Sequence, residues 1–210
     1  MAGLDTPTSG TLRITRADGA EPTNAMVFQG RSLFPWLTLR ENVAYGLRLR
    51  GMGRKERLAR ADALLETVGL AKFRSAWPHQ ISEGMRQRVN IARALAVDPD
   101  LLLMDEPFGA LDEQTRFLLQ EELLRIWEQT GKTVIFVTHS IDEAIILGDQ
   151  IVVMSAHPGT VRTSLRIPFG RPRSLTAVRS DPAFAELFAT TWAMLRDEVE
   201  RGGAFERGAP

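Results

Sequence analysis

The sequence predicts an α/β layer fold with a helix-rich block set into it. Two observations carry this. After Pro99 come three apolar runs, LLLMD (101–105), TVIFVTH (133–139) and QIVVMS (150–155), none with hydrophobic alternation. Strands of that kind are buried on both faces, as in a parallel sheet under helices. The stretches between them, 113–129 and 140–147, have helical patterns, so the order is β-α-β-α-β. Second, the region of about 38–97 is helical in character and interrupts what would otherwise be a sheet domain.

Taken in order, TLRITR (11–16) and AMVF (25–28) predict short strands. Thr38 to Gly51 predicts a helix whose Leu39, Val43, Leu47 and Leu49 form an apolar stripe. Arg54 to Val68 predicts a second, ending at Gly69. LAKFRSAWPHQ is expected to be irregular. Ser82 is expected to cap a helix from Glu83 to about Val97, stopped by the DPD turn. VRTSLRIPF (161–169) predicts a further strand. Residues 181–201 predict a terminal amphipathic helix, with Phe184, Leu187, Phe188, Trp192 and Leu195 at helical spacing.

Composition bounds the function. The 210 residues suit one domain of moderate size; 44% are hydrophobic and 25% charged. A formal net charge of zero argues against a nucleic-acid partner, which calls for a basic excess. Cysteine is absent, so there is no disulfide, thiolate nucleophile or Cys-based metal site. No apolar run approaches the roughly 18 residues of a membrane span. MAGLDTPTSG has neither a basic segment nor an apolar one, so no signal peptide is expected. Any membrane link is expected to come through a partner.

Several segments carry chemistry. In LLLMDEPFGALD an apolar strand runs into adjacent carboxylates, Asp105 and Glu106. That places charge at the carboxyl edge of a parallel sheet, where open α/β folds bind ligands. Such a pair can hold Mg²⁺ and activate a water; the bland alternative is a strand ending in an acidic turn. In ISEGMRQRVNIARAL, a Ser-x-Gly segment opens a helix and offers a hydroxyl, free N–H groups and a positive helix end to an anion. It also reads as an N-capped surface helix. His139 directly follows TVIFVT and could donate to a phosphate. Gln29 follows AMVF. GKT (131–133) does not complete a phosphate loop: that needs G-x-x-x-x-G-K-[ST], and Ile126 stands at the first glycine. Trp36 and Trp77 sit beside prolines, as local anchors or as docking aromatics.

Together these segments resemble the ABC transporter ATPase family. VFQ (27–29) resembles the Q-loop, ISEGMRQR (81–88) the signature motif, and LLLMDE (101–106) Walker B with its catalytic glutamate. GALD (109–112) resembles the D-loop, and His139 the switch histidine. GRSLFPWLTLRENVAYGLRLRG, WPHQISEGMRQRVNIARAL and RPRSL are similar to the nitrate/sulfonate/taurine importer branch, where Met85 typically replaces a signature Gln.

The resemblance implies a RecA-like P-loop core at 1–37 and 98–170, a helical subdomain at 38–97 and a C-terminal extension at 171–210. It implies ATP and Mg²⁺ as cofactors. Asp105 and Gln29 would serve Mg²⁺ through water, and Glu106 would be the general base. His139 would hold the γ-phosphate. Ser82 and Gly84 would donate to the opposite subunit's ATP, and Asp112 would join the two sites. Implied partners are transmembrane permease subunits, a second nucleotide-binding subunit (a like copy or an intact paralogue) and, indirectly, a solute-binding protein. Trp36 and the helix after it would line the permease groove. The implied place is the cytoplasmic face of the bacterial inner membrane. Two departures stand out. The first lysine is Lys55, so no Walker A lysine precedes it, and Glu83 occupies a signature glycine position. Without that loop the chain is expected to begin downstream of Walker A and to bind ATP poorly alone. It could be a fragment or a catalytically incomplete subunit lending its signature to an intact partner. A soluble ABC ATPase of DNA repair or translation is a further alternative; neither coiled coils nor duplicated cassettes support it.

Overall fold

In the computed structural model the described residues are 1–16, 18–28 and 32–206, with side chains described up to residue 196. The chain forms two compact units, Met1–Val137 and Thr138–Pro210.

The first unit is built on three parallel strands, β1 (Asn24–Val27), β2 (Leu101–Asp105) and β3 (Thr133–Val137), in the order β1-β2-β3. Asn24 lies opposite Leu101, and Asp105 opposite Val137. β2 has a neighbour on each side, and its Leu101, Leu102, Leu103 and Met104 are all buried. This is the two-sided burial that the unalternating run foretold. β3 has one neighbour among the described strands, and its Val137 stays exposed.

The helical block comprises α1 (Leu39–Leu49), α2 (Arg54–Thr67) and α3 (Glu83–Ala96). Thr38 starts α1 through a reciprocal box: its Oγ1 accepts the Glu41 N–H at 3.3 Å, and its N–H donates to Glu41 Oε2 at 3.0 Å. α1 approaches α3 closely at Gly46, where a Cβ would lie 2.6 Å from Val97 Cγ1. Between α2 and α3 the irregular stretch holds two short 3₁₀ turns, Ala71–Phe73 and Pro78–Gln80. α4 (Glu113–Thr130) joins β2 to β3 and stops at Gly131, which is left-handed with φ 60°. The GKT segment is structural, as expected. Lys132 Nζ pairs with Asp98 Oδ1 at 2.7 Å, and Thr133 opens β3.

The second unit contains α5 (Ile141–Leu147), β4 (Gln150–Met154), β5 (Val161–Arg166), α6 (Leu175–Ser180) and α7 (Pro182–Glu206). Ile141, Ile145, Ile151, Val153 and Ile167 form its core, against which Phe184, Leu187 and Leu195 of α7 pack. Each such apolar side chain contributes roughly 1.5–3 kcal/mol when fully buried.

Two expectations are corrected, and one element is new. Residues 11–16 form no strand. A strand needs a ladder partner, and among the described residues this segment has none; Arg16 instead turns to Asp18 and Asp100. QIVVM does not extend the parallel sheet. It pairs antiparallel with β5, and it alternates in burial: Ile151 and Val153 face the core, Val152 and Met154 face solvent. Apolar side chains on the solvent face hid that alternation from the sequence pattern. Finally, α6 was not anticipated; Ser174 caps it, its Oγ accepting the Ala177 N–H at 3.5 Å.

Candidate active site

At the exit of β2 the chain turns sharply. Glu106 is left-handed with φ 42°, a conformation that costs a non-glycine residue roughly 1–3 kcal/mol. Its N–H donates to Val137 O at 2.9 Å, one rung beyond the β2–β3 ladder. Its carbonyl accepts the Gly109 N–H at 3.1 Å. The turn is anchored from below by Phe108, which is fully buried with its ring 5.7 Å from that of Phe136. Asp105 and Glu106 are both half-buried at this sheet edge. Two adjacent, partly exposed carboxylates fit Mg²⁺, which keeps several waters and takes one or two protein carboxylates. Among the described residues no group of three or more His, Asp or Glu gathers as a metal cage.

The same loop ends at Asp112, the N-cap of α4. Its Oδ1 accepts the Thr115 N–H at 2.9 Å, and that bond holds the exposed carboxyl below its ordinary range. Thr115 has a second role. A Cβ on Gly84 would lie 2.4 Å from Thr115 Cγ2. Glycine at 84 is therefore required by the contact of α3 with α4, apart from any ligand.

The start of α3 is a regular N-terminus. Ser82 Oγ is exposed and accepts the Met85 N–H at 3.3 Å. Glu83 pairs with Arg86, one turn on. Arg86 also donates to Pro78 O at 2.9 Å and Ile81 O at 3.0 Å. The Glu83 carboxylate is thus neutralised beside the helix end, which lessens the penalty it would impose on an anion there.

Gln29 lies outside the described residues. The chain just after it is tied to α3: Arg93 donates to Ser32 O at 2.8 Å and to Ser32 Oγ at 3.0 Å, while Ser32 Oγ donates to Asn90 Oδ1 at 2.9 Å. Burial holds the Arg93 guanidinium below its ordinary pKa. Phe34 stacks beneath Arg93 and next to Trp36, which is 68% exposed. His139 is exposed and belongs to the second unit, two residues after β3.

Sequence reasoning missed Phe108, Thr115 and the Ser32–Asn90–Arg93 clasp. Phe108 had a signal, a lone aromatic inside an acidic, glycine-containing loop. Thr115 and the clasp had none, because each acts on a residue far away in sequence.

The ABC transporter family profile matches residues 1–109, just over half the chain. The chain belongs to the ABC transporter family. An ABC transporter ATP-binding protein of Methanocaldococcus jannaschii is 46% identical over 95% of this chain and 74% of its own length. The nitrate import ATP-binding protein NrtD of Synechocystis sp. is 48% identical over 80% of this chain and 64% of its own. The taurine import ATP-binding protein TauB of Rhizobium johnstonii is 50% identical over 83% and 68%. A solved dimeric ATP-binding cassette bound to ADP and Pi matches with TM-score 0.60 at 36% identity, over 71% of this chain and 65% of that one. The RecA-like ABC ATPase fold is therefore that of this chain, which spans 64 to 74% of the length of these curated relatives. Among the described residues no helix is long and apolar enough to cross a membrane.

Proposed function

We propose that this ABC chain is the ATP-hydrolysing subunit of an importer for a small anion or organosulfonate, as in relatives named for nitrate and taurine import. The observation that carries it is the carboxylate pair at the exit of β2, with Glu106 held in a strained left-handed turn. In this reading Asp105, with Gln29, holds Mg²⁺ through water; the ion would neutralise phosphate charge. Glu106 takes the proton from the attacking water. His139 donates to the terminal phosphate. The Ser82 hydroxyl and the backbone at Gly84 offer donors to a phosphate on the opposite subunit. Asp112 holds the start of α4 beside that helix end and joins the two sites. The core at 1–37 and 98–170 carries the chemistry, 38–97 the helical subdomain and 171–210 an extension. Exposed Trp36 supports docking of a permease partner; through that partner the chain would lie peripherally on the cytoplasmic face of the membrane.

No G-x-x-x-x-G-K-[ST] stands in the 210 residues, and a row of backbone N–H donors with a lysine is what cradles phosphates. The 210 residues alone are therefore expected to bind Mg·ATP weakly. The test is titration with a fluorescent ATP analogue. It compares the chain alone with the same chain joined to an N-terminal segment that carries a G-x-x-x-x-G-K-[ST] loop. Weak binding alone and micromolar binding with the loop support the reading. Micromolar binding by the 210 residues alone overturns the expectation, and no binding or turnover in the joined form overturns the assigned function.

A further inference from the structure

α5 has seven residues, too few to hold a helix in water without support. Its Ile141 and Ile145 pack in the core of the second unit, side chains at its two ends fix it further, and the stretch that leads into it carries His139. At the amino end, Thr138 Oγ1 donates its one proton to Glu143 Oε2 at 2.5 Å. The hydroxyl lone pair accepts the Ser140 N–H at 3.0 Å. The Glu143 N–H in turn donates to Ser140 Oγ at 3.3 Å. Glu143 is only 4% exposed. A carboxylate can only accept, so it fixes which way the Thr138 hydroxyl points and leaves that oxygen free for Ser140. His139 lies between Thr138 and Ser140, and the closed ring constrains the peptide groups on both sides of it.

At the carboxyl end, Arg173 does the same work. Its buried guanidinium donates to Ile146 O at 3.2 Å, a carbonyl in the last turn of α5, and to the carbonyl of the C-cap Gly148 at 2.7 Å. It also meets Asp149 Oδ1 at 2.8 Å. The helix is thus held at both ends by partly buried bonds from charged side chains, which are stronger than neutral ones.

We propose that Glu143 and Thr138 are positioning residues for His139, with Arg173 holding the far end of the helix that carries them. The consequence for turnover rests on the phosphate role assigned to His139; the positioning itself does not.

The test uses the full 210-residue chain without nucleotide and reads amide hydrogen exchange and the His139 ring resonances by NMR, with melting temperature as the control. Thr138→Val is expected to speed exchange at Ser140 by roughly three- to tenfold, the worth of one net hydrogen bond, and to shift or broaden the His139 ring signals. Thr138→Ser is expected to restore both. Arg173→Lys is expected to speed exchange at Gly148 and, by a smaller factor, at Ser140. Unchanged Ser140 exchange in Thr138→Val, or no restoration by serine, overturns the proposal. Should the valine variant fail to fold, Glu143→Gln decides. Its weaker, neutral acceptor is expected to speed Ser140 exchange locally, and wild-type protection there overturns the proposal. The phosphate role of His139 is decided separately, by turnover of His139→Ala in the loop-joined form.

Discussion

The two ends of β2 carry the same backbone feature for different reasons. Asp98 lies just upstream of the strand and Glu106 just downstream; they are left-handed, at φ 49° and 42°. At the upstream end the conformation is that of a helix stop. α3 has just finished, the Asp98 N–H returns to Leu95 O at 2.9 Å, and Lys132 meets the carboxylate. Aspartate tolerates that region better than most residues. Glutamate has no such tolerance. At the downstream end the strain falls on a longer side chain, at a sheet edge where ligands gather. Strain at a helix stop follows from local geometry, whereas strain at a carboxylate on this sheet edge is what motivates the catalytic role proposed for Glu106.

The largest expected effect separates the ends by turnover. In the loop-joined form, Glu106→Gln should lower ATP hydrolysis by roughly 10²–10⁴-fold while ATP binding persists. Asp98→Asn, the matching loss of charge upstream, should leave turnover unchanged. Steady-state phosphate release with parallel binding titrations would show it. Equal losses at both ends would erase the distinction.

The next effect lies where the downstream loop leads. Gly84→Ala drives a methyl toward Thr115, and overpacking of this kind costs roughly 1–3 kcal/mol. Thr115→Ser removes the opposing Cγ2 and should recover most of it. Urea unfolding of the two single variants and the double would reveal the coupling; simple additivity would mean that α4 yields easily.

Smaller still is a gain. Glu106→Gly should stabilise the chain by about 1 kcal/mol, because glycine adopts φ 42° without strain. A fall in melting temperature would show that contacts of the Glu106 side chain outweigh the backbone cost.

The smallest effect is at Asp98. Its side chain is 67% exposed, so the Lys132 pair should contribute about 0.5 kcal/mol or less. The hydrogen bond from Lys132 holds the Asp98 carboxyl below its ordinary 3.8. A depressed acid stabilises the fold above its unfolded value and loses that contribution as pH falls through the folded one. The gap between wild type and Asp98→Asn should therefore be level near neutrality and close below pH 3.8. A gap that persists in acid would assign the effect to the turn rather than to the ion pair.

What the sequence alone determined is local in origin. The helices over 39–49, 54–67, 83–96 and 113–130 were legible from apolar spacing and flanking turn residues, the cap of the third from Ser82, and β2 from an unbroken apolar run. These signals act within a turn or two of the chain, so a linear reading contains them. The order of Asp105, Glu106, Asp112 and His139 was legible too, because the family resemblance runs along the chain. Tertiary structure alone decided the rest. It paired QIVVM with β5 rather than the parallel sheet, and denied TLRITR a partner. It put Thr115 against Gly84, Arg93 on Ser32 and Arg173 on the end of α5. Each depends on which distant segment arrives alongside, and neither composition nor periodicity encodes a partner's identity. The left-handed turn at Glu106 belongs with them: glutamate signals no such backbone, and the β3 rung at Val137, the Gly109 bond to the Glu106 carbonyl and the buried Phe108 hold it there.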